Sequence, residues 1–484
     1  MRRRGWRDVS WETVIGLEVH VQLDTSEKLF CPDATTFGVS PNTQTCPVCL
    51  GLPGALPVVN REAVDLAVTT ALGLGCVVHE SSVFARKSYF YPDLPKGYQI
   101  TQFDEPLATN GCVLITSGTE EHRIRIRRVH IEEDAGKSIH NRAEEGTFID
   151  LNRAGVPLVE IVTEPDLESP SQARAFLQGL KRTLEYLEVS DCNMEEGSLR
   201  VDANLSVRAA GSDTLGVKTE VKNLNSFSAV ERALELEAER QFGVLEGGGA
   251  VVQQTLLWDE RSGMVRPMRT KEESHDYRYF PDPDLPPLRL SRERIERLKK
   301  ALPELPEERA KRLLDQLDVG EDDVEVLTSS RSLADFFEGV AARVEDAKVA
   351  ANWVRGPLLR EVNREKGSFS DLKLTPAGLA ELIGLVEDGV ISGGMGRTVL
   401  GRMIASGGTA REIVESEGLT QIQSSVELGA WIEEVMQESL QEVERYRSGE
   451  TRLLGYFIGK VMQKSEGRAD PKALSTLIRD RLGS

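Results

Sequence analysis

The segment from Val14 to Leu23 alternates strictly between apolar and polar side chains. Such alternation predicts a β-strand, because successive side chains of an extended chain point to opposite faces of a sheet. The apolar positions would face a core, whereas Glu18, His20 and Gln22 would lie side by side on the other face. The chain must therefore build a sheet that gathers acids and an imidazole on one surface.

The same pattern recurs downstream, with an acid on the polar face of strand-like stretches. In the stretch 199–207, the apolar set leaves Asp202 on the same face as Arg200, and a later stretch places Glu220 between two lysines. Glu160 lies inside an apolar run, where an unpaired charge would be costly. Glu160 therefore needs a partner.

A histidine at position 130 is followed by acids at 132, 133 and 134. Clustered carboxylates repel one another unless a cation or a proton lies among them. Oxygen ligands with one imidazole suit Mg²⁺ or Mn²⁺ better than structural zinc, and Mg²⁺ usually arrives with a phosphate group. Any single stretch is explained by a solvated face of an open antiparallel sheet, but the five together favour a metal and phosphate site.

The segment from Arg86 to Tyr98 is rich in tyrosine and proline and contains Lys87 and Lys96. Rigid prolines and aromatic rings would fix these lysines so that they offset phosphate charge. The chain has no G-x-x-x-x-G-K-[ST] phosphate loop. From spacing alone, an ordinary packed loop with exposed lysines explains this segment equally well.

Charge and composition limit the class of protein. The 59 basic residues against 78 acidic residues give a net charge of −19, which argues against a protein that grips nucleic acid over its whole surface. No run of about 18 apolar residues occurs, and the basic residues 2–4 are not followed by a signal-peptide core. We expect a soluble cytoplasmic protein without a membrane partner, whose six cysteines form no disulfide framework.

The organisation of the chain changes near residue 290. Before it, alternating runs and Gly or Pro turns predict an α+β domain built on an antiparallel sheet; after it, charged helical periodicity dominates. A second break at residues 406–409 predicts a small helical tail. The expected domains are therefore 1–290, 291–408 and 409–484.

Several longer motifs occur together and in order. They are Ile15–His20, Lys87–Tyr98, His130–Ser138, Ile149–Glu160, Met194–Asp202 and Asp276–Pro281. With them, the chain closely resembles the B-subunit family of the bacterial Asp/Glu-tRNA amidotransferases (GatB/GatE). The resemblance covers essentially the whole length, including residues 454–462 of the tail.

This resemblance implies a cradle-shaped catalytic domain, a helical domain and a tail that contacts tRNA. It implies a heterotrimer with a glutaminase (amidase) partner, the A subunit, which supplies ammonia, and with a small C subunit. The B subunit would use ATP to phosphorylate the side-chain carboxylate of Glu-tRNA(Gln), Asp-tRNA(Asn) or both, and ammonia would then displace phosphate. The activity would be that of a glutamine-hydrolysing carbon–nitrogen ligase.

The resemblance also implies roles for individual residues. Glu18, His20, Lys87 and Lys96 would be catalytic, and Arg200 would join the two lysines in binding the nucleotide. The Mg²⁺ ligands would be Glu18, His20, Glu133, Glu160, Asp202 and Glu220. Alternation does not decide between Glu132 and Glu133, because a turn can intervene.

A cysteine motif raises a separate question of zinc. Cys31, Cys46 and Cys49 resemble a zinc knuckle in which Asp33 replaces the fourth cysteine. The usual structural sets are Cys₄, Cys₃His and Cys₂His₂. The motif is compatible with a zinc site and with a metal-free loop.

The tail contains Lys460, Lys464 and Arg468 at intervals of four residues. On a continuous helix they would share a face and offer phosphate contacts to tRNA, although a solvated helix face explains the same spacing. A further hypothesis makes the whole chain a non-catalytic tRNA-binding scaffold of the same complex. Alanine at Glu18 or His20 would separate the two functions, because only a catalytic role predicts lost amidation with retained tRNA binding.

Overall fold

The computed structural model describes residues 10–118, 120–140, 146–268, 277–365, 369, 372–419, 425–465, 468–469 and 471–483. Residues 2–4 and Asp276, which entered the sequence analysis, lie outside these ranges. The chain divides into two compact units, Met1–Leu305 and Pro306–Ser484. Each unit is described by itself.

The first unit is built on strands. They are β1 (Trp11–Gln22), β2 (Val77–Val78), β3 (Ser81–Ser82), β4 (Ala85–Ser88), β5 (Tyr98–Thr101), β6 (Ala108–Ser117), β7 (Glu120–Glu133), β8 (Lys137–His140), β9 (Thr147–Asp150), β10 (Pro157–Thr163), β11 (Leu199–Ala209), β12 (Thr219–Leu224), β13 (Gln254–Asp259), β14 (Met264–Pro267), β15 (Phe280–Pro281) and β16 (Leu288–Arg289).

Nine of the described strands form one sheet in the order β14-β13-β12-β11-β1-β10-β7-β6-β2. Its neighbouring strands are antiparallel except β12 and β13, which are parallel. Strand β1 lies near the middle, between β10 and β11. The predicted α+β class with a large antiparallel sheet is confirmed.

Helices cover one face of this sheet. The helices of the first unit are α1 (Arg61–Gly73), α2 (Pro170–Tyr186), α3 (Phe227–Glu246) and α4 (Arg292–Ala301). Helix α2 contacts β6 and β1, and α3 contacts β11 and β12. The apolar positions of β1 face this core: Ile15, Leu17, Val19 and Val21 are at most 1% exposed. The opposite, polar face of the sheet is left for the acids.

Serine caps fix where the two covering helices begin. The Ser169 hydroxyl accepts a hydrogen bond from the backbone N–H of Gln172 in α2, and the Ser226 hydroxyl accepts one from Ala229 in α3. Each bond satisfies a backbone donor that the first turn of a helix leaves unpaired.

Smaller sheets flank the large one. Strands β4, β5 and β15 form a three-stranded sheet, β3 pairs with β16, and β8 pairs with β9. Strand β5 contacts the end of β7, which brings the loop between Lys87 and Lys96 to the acidic end of β7. Helix α4 contacts α1, and Arg294 Nε lies 2.7 Å from Asp65 Oδ1.

The second unit is helical, as predicted. Its helices are α5 (Pro306–Gln316), α6 (Glu321–Leu327), α7 (Arg331–Ala341), α8 (Ala347–Trp353), α9 (Leu359–Glu365), α10 (Pro376–Glu387), α11 (Gly393–Ser406), α12 (Ala410–Ser416), α13 (Ser425–Glu438), α14 (Leu440–Arg447), α15 (Leu454–Lys464) and α16 (Pro471–Gly483).

The described residues of the second unit form two apolar cores. One extends from Leu313 to Val414 and the other from Leu428 to Leu482. Helices α11 and α12 are separated by the glycine-containing break at 407–409, where Gly407 adopts φ 77°. Helix α12 nevertheless contacts α10 and α11 and belongs to the first of these cores. Among the helices that the structure describes, none is long and apolar enough to cross a membrane.

Candidate active site

Strand pairing assembles the predicted acidic strands into rows across the polar face. His20 of β1 lies opposite Glu160 of β10 and opposite Arg200 of β11, and Glu160 lies opposite His130 of β7. Neighbouring strands are about 4.8 Å apart. Residues that are distant in the sequence therefore meet as direct neighbours on this face.

His20, Glu132 and Glu160 form the tightest group, which we call the histidine cluster. His20 Nε2 lies 3.5 Å from Glu132 Oε1 and 3.5 Å from Glu160 Oε2. One possible ligand atom from each residue lies within 4.8 Å of the others. The two carboxylates are almost fully buried, and the His20 side chain is 21% exposed. This geometry suits a cation that carboxylates and one imidazole would hold.

A second histidine supports Glu160 from β7. His130 Nε2 lies 3.2 Å from Glu160 Oε2, whereas the buried His130 Nδ1 has no hydrogen-bond partner among the described residues. Burial raises the pKa of the Glu160 carboxyl, but His130 and His20 outweigh it and hold that pKa well below its ordinary value. Glu160 is therefore ionised and ready to act as a ligand.

His20 carries a proton in the absence of a metal. Burial lowers the pKa of its ring, but the hydrogen bond to Glu160 and the charge of Glu132 raise this pKa to about 9. The imidazolium thus supplies positive charge between two buried carboxylates. A metal ion that binds here would take over that role and displace the proton.

The structure separates Glu132 from Glu133. The Glu133 carboxylate pairs with Lys96 Nζ and accepts a hydrogen bond of 2.8 Å from the backbone N–H of Ile100. Thr101 instead donates to Glu132, at 3.3 Å. The structure therefore brings Glu132, and not the predicted Glu133, into the group with His20, because neighbouring residues of a strand point in opposite directions.

The remaining predicted ligands form a second group, the lysine cluster. Glu18 lies opposite Asp202, and Lys222 Nζ lies 2.6 Å from Asp202 Oδ2 and 3.0 Å from Glu220 Oε1. Asn204 donates to Glu18 at 3.2 Å. Burial raises the pKa of Glu18, and the nearby Glu160 and Glu220 raise it further. One lysine thus faces three acids, and the excess negative charge favours another cation.

The three cations predicted for the nucleotide differ in their surroundings. Lys96 is paired with Glu133, and Arg200 Nη2 lies 2.9 Å from Asp134 Oδ2. The Lys87 ammonium lies 4.9 Å from the centroid of the Tyr277 ring, without an ion pair to any described residue. Burial lowers the pKa of Lys87, but nearby acids, first of all Glu132, outweigh it and raise this pKa. Lys87 is therefore the predicted cation most available to a phosphate.

Sequence reasoning missed several neighbours of these clusters. His130 stood in a motif but had no assigned role, although its spacing of two from Glu132 already placed both on one strand face. Lys222 was noted beside Glu220 without being assigned to the site. Tyr277 belongs to the motif Asp276–Pro281, but nothing local linked its ring to Lys87, because their contact joins positions 190 residues apart in the chain.

The cysteine motif forms a compact group in the loop after β1. Cys49 Sγ lies 3.2 Å and Cys31 Sγ 3.6 Å from Asp33 Oδ2, and the possible ligand atoms of Cys31, Asp33, Cys46 and Cys49 all lie within 4.8 Å of one another. A hydrogen bond from Cys31 is the main cause that lowers the pKa of Cys49 to about 6. The group therefore offers one readily formed thiolate and a carboxylate to a metal.

In the tail, the predicted helix face shared by Lys460, Lys464 and Arg468 is not formed. Helix α15 ends at Lys464, and the Ser465 N–H closes its last turn on Val461. Arg468 lies beyond this end, so it does not continue the helix face of Lys460. Lys464 Nζ lies 2.8 Å from both Glu434 and Glu438, whereas the exposed Lys460 lies 5.9 Å from the centroid of the Tyr456 ring.

Comparisons with known proteins agree with this architecture. Residues 13–296 match the family model of the GatB/GatE catalytic domain. The chain belongs to the GatB/GatE family. Residues 335–482 match the family's GatB domain.

Relatives in this family are similar along their full length. The B subunit of the aspartyl/glutamyl-tRNA(Asn/Gln) amidotransferase of Moorella thermoacetica is 51% identical over 476 residues, which cover 98% of this chain and 100% of the relative. The proteins of the same name from Caldanaerobacter subterraneus and Myxococcus xanthus are 48% and 47% identical, over 98% of this chain and 100% and 99% of their own lengths.

Proposed function

We propose that this chain is the tRNA-side catalytic subunit of an aspartyl/glutamyl-tRNA(Asn/Gln) amidotransferase. It acts with a glutaminase partner, the A subunit, and with a small C subunit, as the names and full-length similarity of its relatives indicate. Its substrates are ATP and the misacylated tRNAs Glu-tRNA(Gln), Asp-tRNA(Asn) or both. Because these substrates belong to translation, we place the protein in the cytoplasm.

The observation that carries this proposal is the histidine cluster. Two buried carboxylates and an imidazole converge on the polar face of a sheet whose other face is a packed core. A scaffold that only holds tRNA has no need to bury charged acids, which is costly. The buried cluster therefore favours catalysis over the scaffold alternative.

The chemistry requires an activated carboxylate. A carboxylate is a poor electrophile and its oxygen is a poor leaving group, whereas transfer of the terminal phosphoryl group of ATP makes an acyl phosphate that ammonia can attack. When bound, Mg²⁺ would neutralise charge on the phosphates and on the anionic substrate.

Different residues of the chain would bind the cations, contact the phosphate and position the acids. His20, Glu132 and Glu160 would hold one Mg²⁺, and Glu18, Asp202 and Glu220 would hold another cation in place of Lys222. Lys87 would contact a phosphate, while Lys96 and Arg200 keep Glu133 and Asp134 in position. Glu18, His20, Lys87 and Lys96 are thus kept as functional residues, and Glu132 is added to them.

The cysteine cluster would hold zinc as a structural ion away from the reaction. Its four donors already converge on a common centre, and three thiolates with one carboxylate extend the usual structural sets. Bound zinc would tie residues 31–33 to the turn at 46–49.

The helical parts would serve the tRNA. We propose that the predicted helical domain, 291–408, connects the catalytic domain to the predicted tail, 409–484, and that the tail contacts tRNA. Lys460 is a better phosphate contact than Lys464, because no ion pair with a described residue neutralises it.

Replacement of His20 by alanine tests the catalytic role. In the reconstituted complex, H20A should lose ATP-dependent amidation of Glu-tRNA(Gln) while tRNA affinity stays within about twofold of the parent. H122A is a matched control, because His122 lies on β7 outside both clusters. Normal amidation by H20A would favour the scaffold function.

A further inference from the structure

The basic side chains around the two clusters are mostly neutralised by acids. Arg200 pairs with Asp134, and Lys96 pairs with Glu133. Arg128 of β7, like Lys87, has no ion pair with a described acid, and its buried Nε has no hydrogen-bond partner among the described residues. This guanidinium therefore has unused donors beside the proposed active site.

Strand register places Arg128 on the polar face, close to the rows that hold both clusters. It lies opposite Val162 of β10 and two residues before His130, on the same face of β7. Val162 in turn lies opposite Glu18 of β1. Two residues along a strand span about 7 Å and two strands span about 10 Å. Arg128 therefore lies in the row of Glu18, about 10 Å from it, and about 7 Å along β7 from the row of Glu160.

An unpaired buried donor needs an explanation. Buried polar groups of native proteins are nearly always hydrogen-bonded, and leaving one unpaired is costly. Nearby Thr109 of β6, opposite Arg128, already contacts His79 Nε2 at 3.1 Å through its hydroxyl. A guanidinium is charged at all physiological pH values and matches the oxygens of phosphate with its planar fork. A phosphate oxygen is thus the natural acceptor for Arg128.

We propose that Arg128 binds a phosphate oxygen of a substrate held over the two clusters. This inference rests on the proposed function and adds one contact residue to it. The phosphate belongs either to ATP or to the phosphodiester near the aminoacylated 3′ end of tRNA. Both sources present the same chemistry, and the experiment separates them.

The test compares three variants in the reconstituted complex. R128Q removes both the charge and the planar set of guanidinium donors. R128K keeps the charge but not these donors. R127Q removes one charge from the exposed neighbouring residue. For each, KM is measured for ATP and for Glu-tRNA(Gln). We expect R128Q to raise one of the two KM values by about 10- to 100-fold, the loss typical of a hydrogen bond to a charged group.

The substrate whose KM rises identifies the source of the phosphate. R128K should recover only part of the loss, and R127Q should stay within about twofold of the parent for both substrates. Equal effects of R128Q and R127Q would overturn the inference, because they would reflect general charge alone. If R128Q is thermally unstable, R128K decides: parental KM values for both substrates would refute the contact. Absence of ATP-dependent amidation in the parent complex would instead refute the proposed function.

Discussion

Asp134 should stabilise the polar face of the sheet by holding Arg200. Its carboxylate is 3% exposed and lies 2.9 Å from Arg200 Nη2 and 3.5 Å from Arg153 Nε, and it accepts a hydrogen bond of 3.0 Å from Gln22. Breaking a buried ion pair typically costs about 3–5 kcal/mol. Because the side chains of Arg200 and Arg153 are 34% and 30% exposed, water partly replaces the carboxylate. We therefore expect D134N to lower the free energy of unfolding by about 1.5–3 kcal/mol.

Urea unfolding, combined with hydrogen exchange of peptides from β7 and β11, would measure this loss. R200M provides the second arm of a double-mutant cycle. The two substitutions should be non-additive by about 1 kcal/mol or more, because each removes the same pair. Additive effects, or a D134N loss below about 0.5 kcal/mol, would refute the assignment of Asp134 as the residue that holds Arg200.

Four further predictions follow from other contacts. E132Q should weaken Mn²⁺ binding by at least tenfold in calorimetric titration, whereas E133Q should leave it nearly unchanged; the reverse order would restore Glu133 as the ligand. D33C should slow the loss of zinc to a chelator, measured by elemental analysis, and equal rates for D33C and the parent would contradict the zinc site. K460A should weaken tRNA binding and reduce its salt dependence more than K464A, because Lys464 is already paired with two acids; equal effects would contradict this. Burial raises the pKa of Asp166, but hydrogen bonds from Arg125 outweigh it and lower that pKa. D166N should therefore lower the free energy of unfolding above about pH 4. The difference between D166N and the parent should vanish as pH falls through the lowered pKa.

The sequence predicted which side chains of β1 share the polar face, but not which residues of other strands lie beside them. Alternation correctly placed Glu18 and His20 on one face of β1, because the side-chain period of a strand is a local property. The pairing of Glu18 with Asp202 joins residues 184 positions apart. Such pairing depends on strand order and register, which local patterns do not contain.

Two local irregularities, a register shift beside β7 and the end of helix α15, explain where the observed structure differs from the predicted one. The register between β7 and β10 shifts near Val162, so the alternation of the arginine-rich start of β7 does not continue into its acidic end. Arg128 therefore had no place in the pattern of acidic strands. In the tail, a regular spacing of four predicted a shared helix face, but the helix ends at Lys464 before Arg468.

Transfer of phosphate from ATP to the substrate carboxylate is the central claim. The most direct measurement supplies the reconstituted complex with terminally labelled ATP and Glu-tRNA(Gln), without glutamine or ammonia, and follows labelled acyl phosphate on the tRNA. The parent should form it, and E160Q should not, although E160Q should still bind tRNA. Normal labelling by E160Q, or labelling by the other two proteins of the complex alone, would contradict a catalytic centre on this sheet.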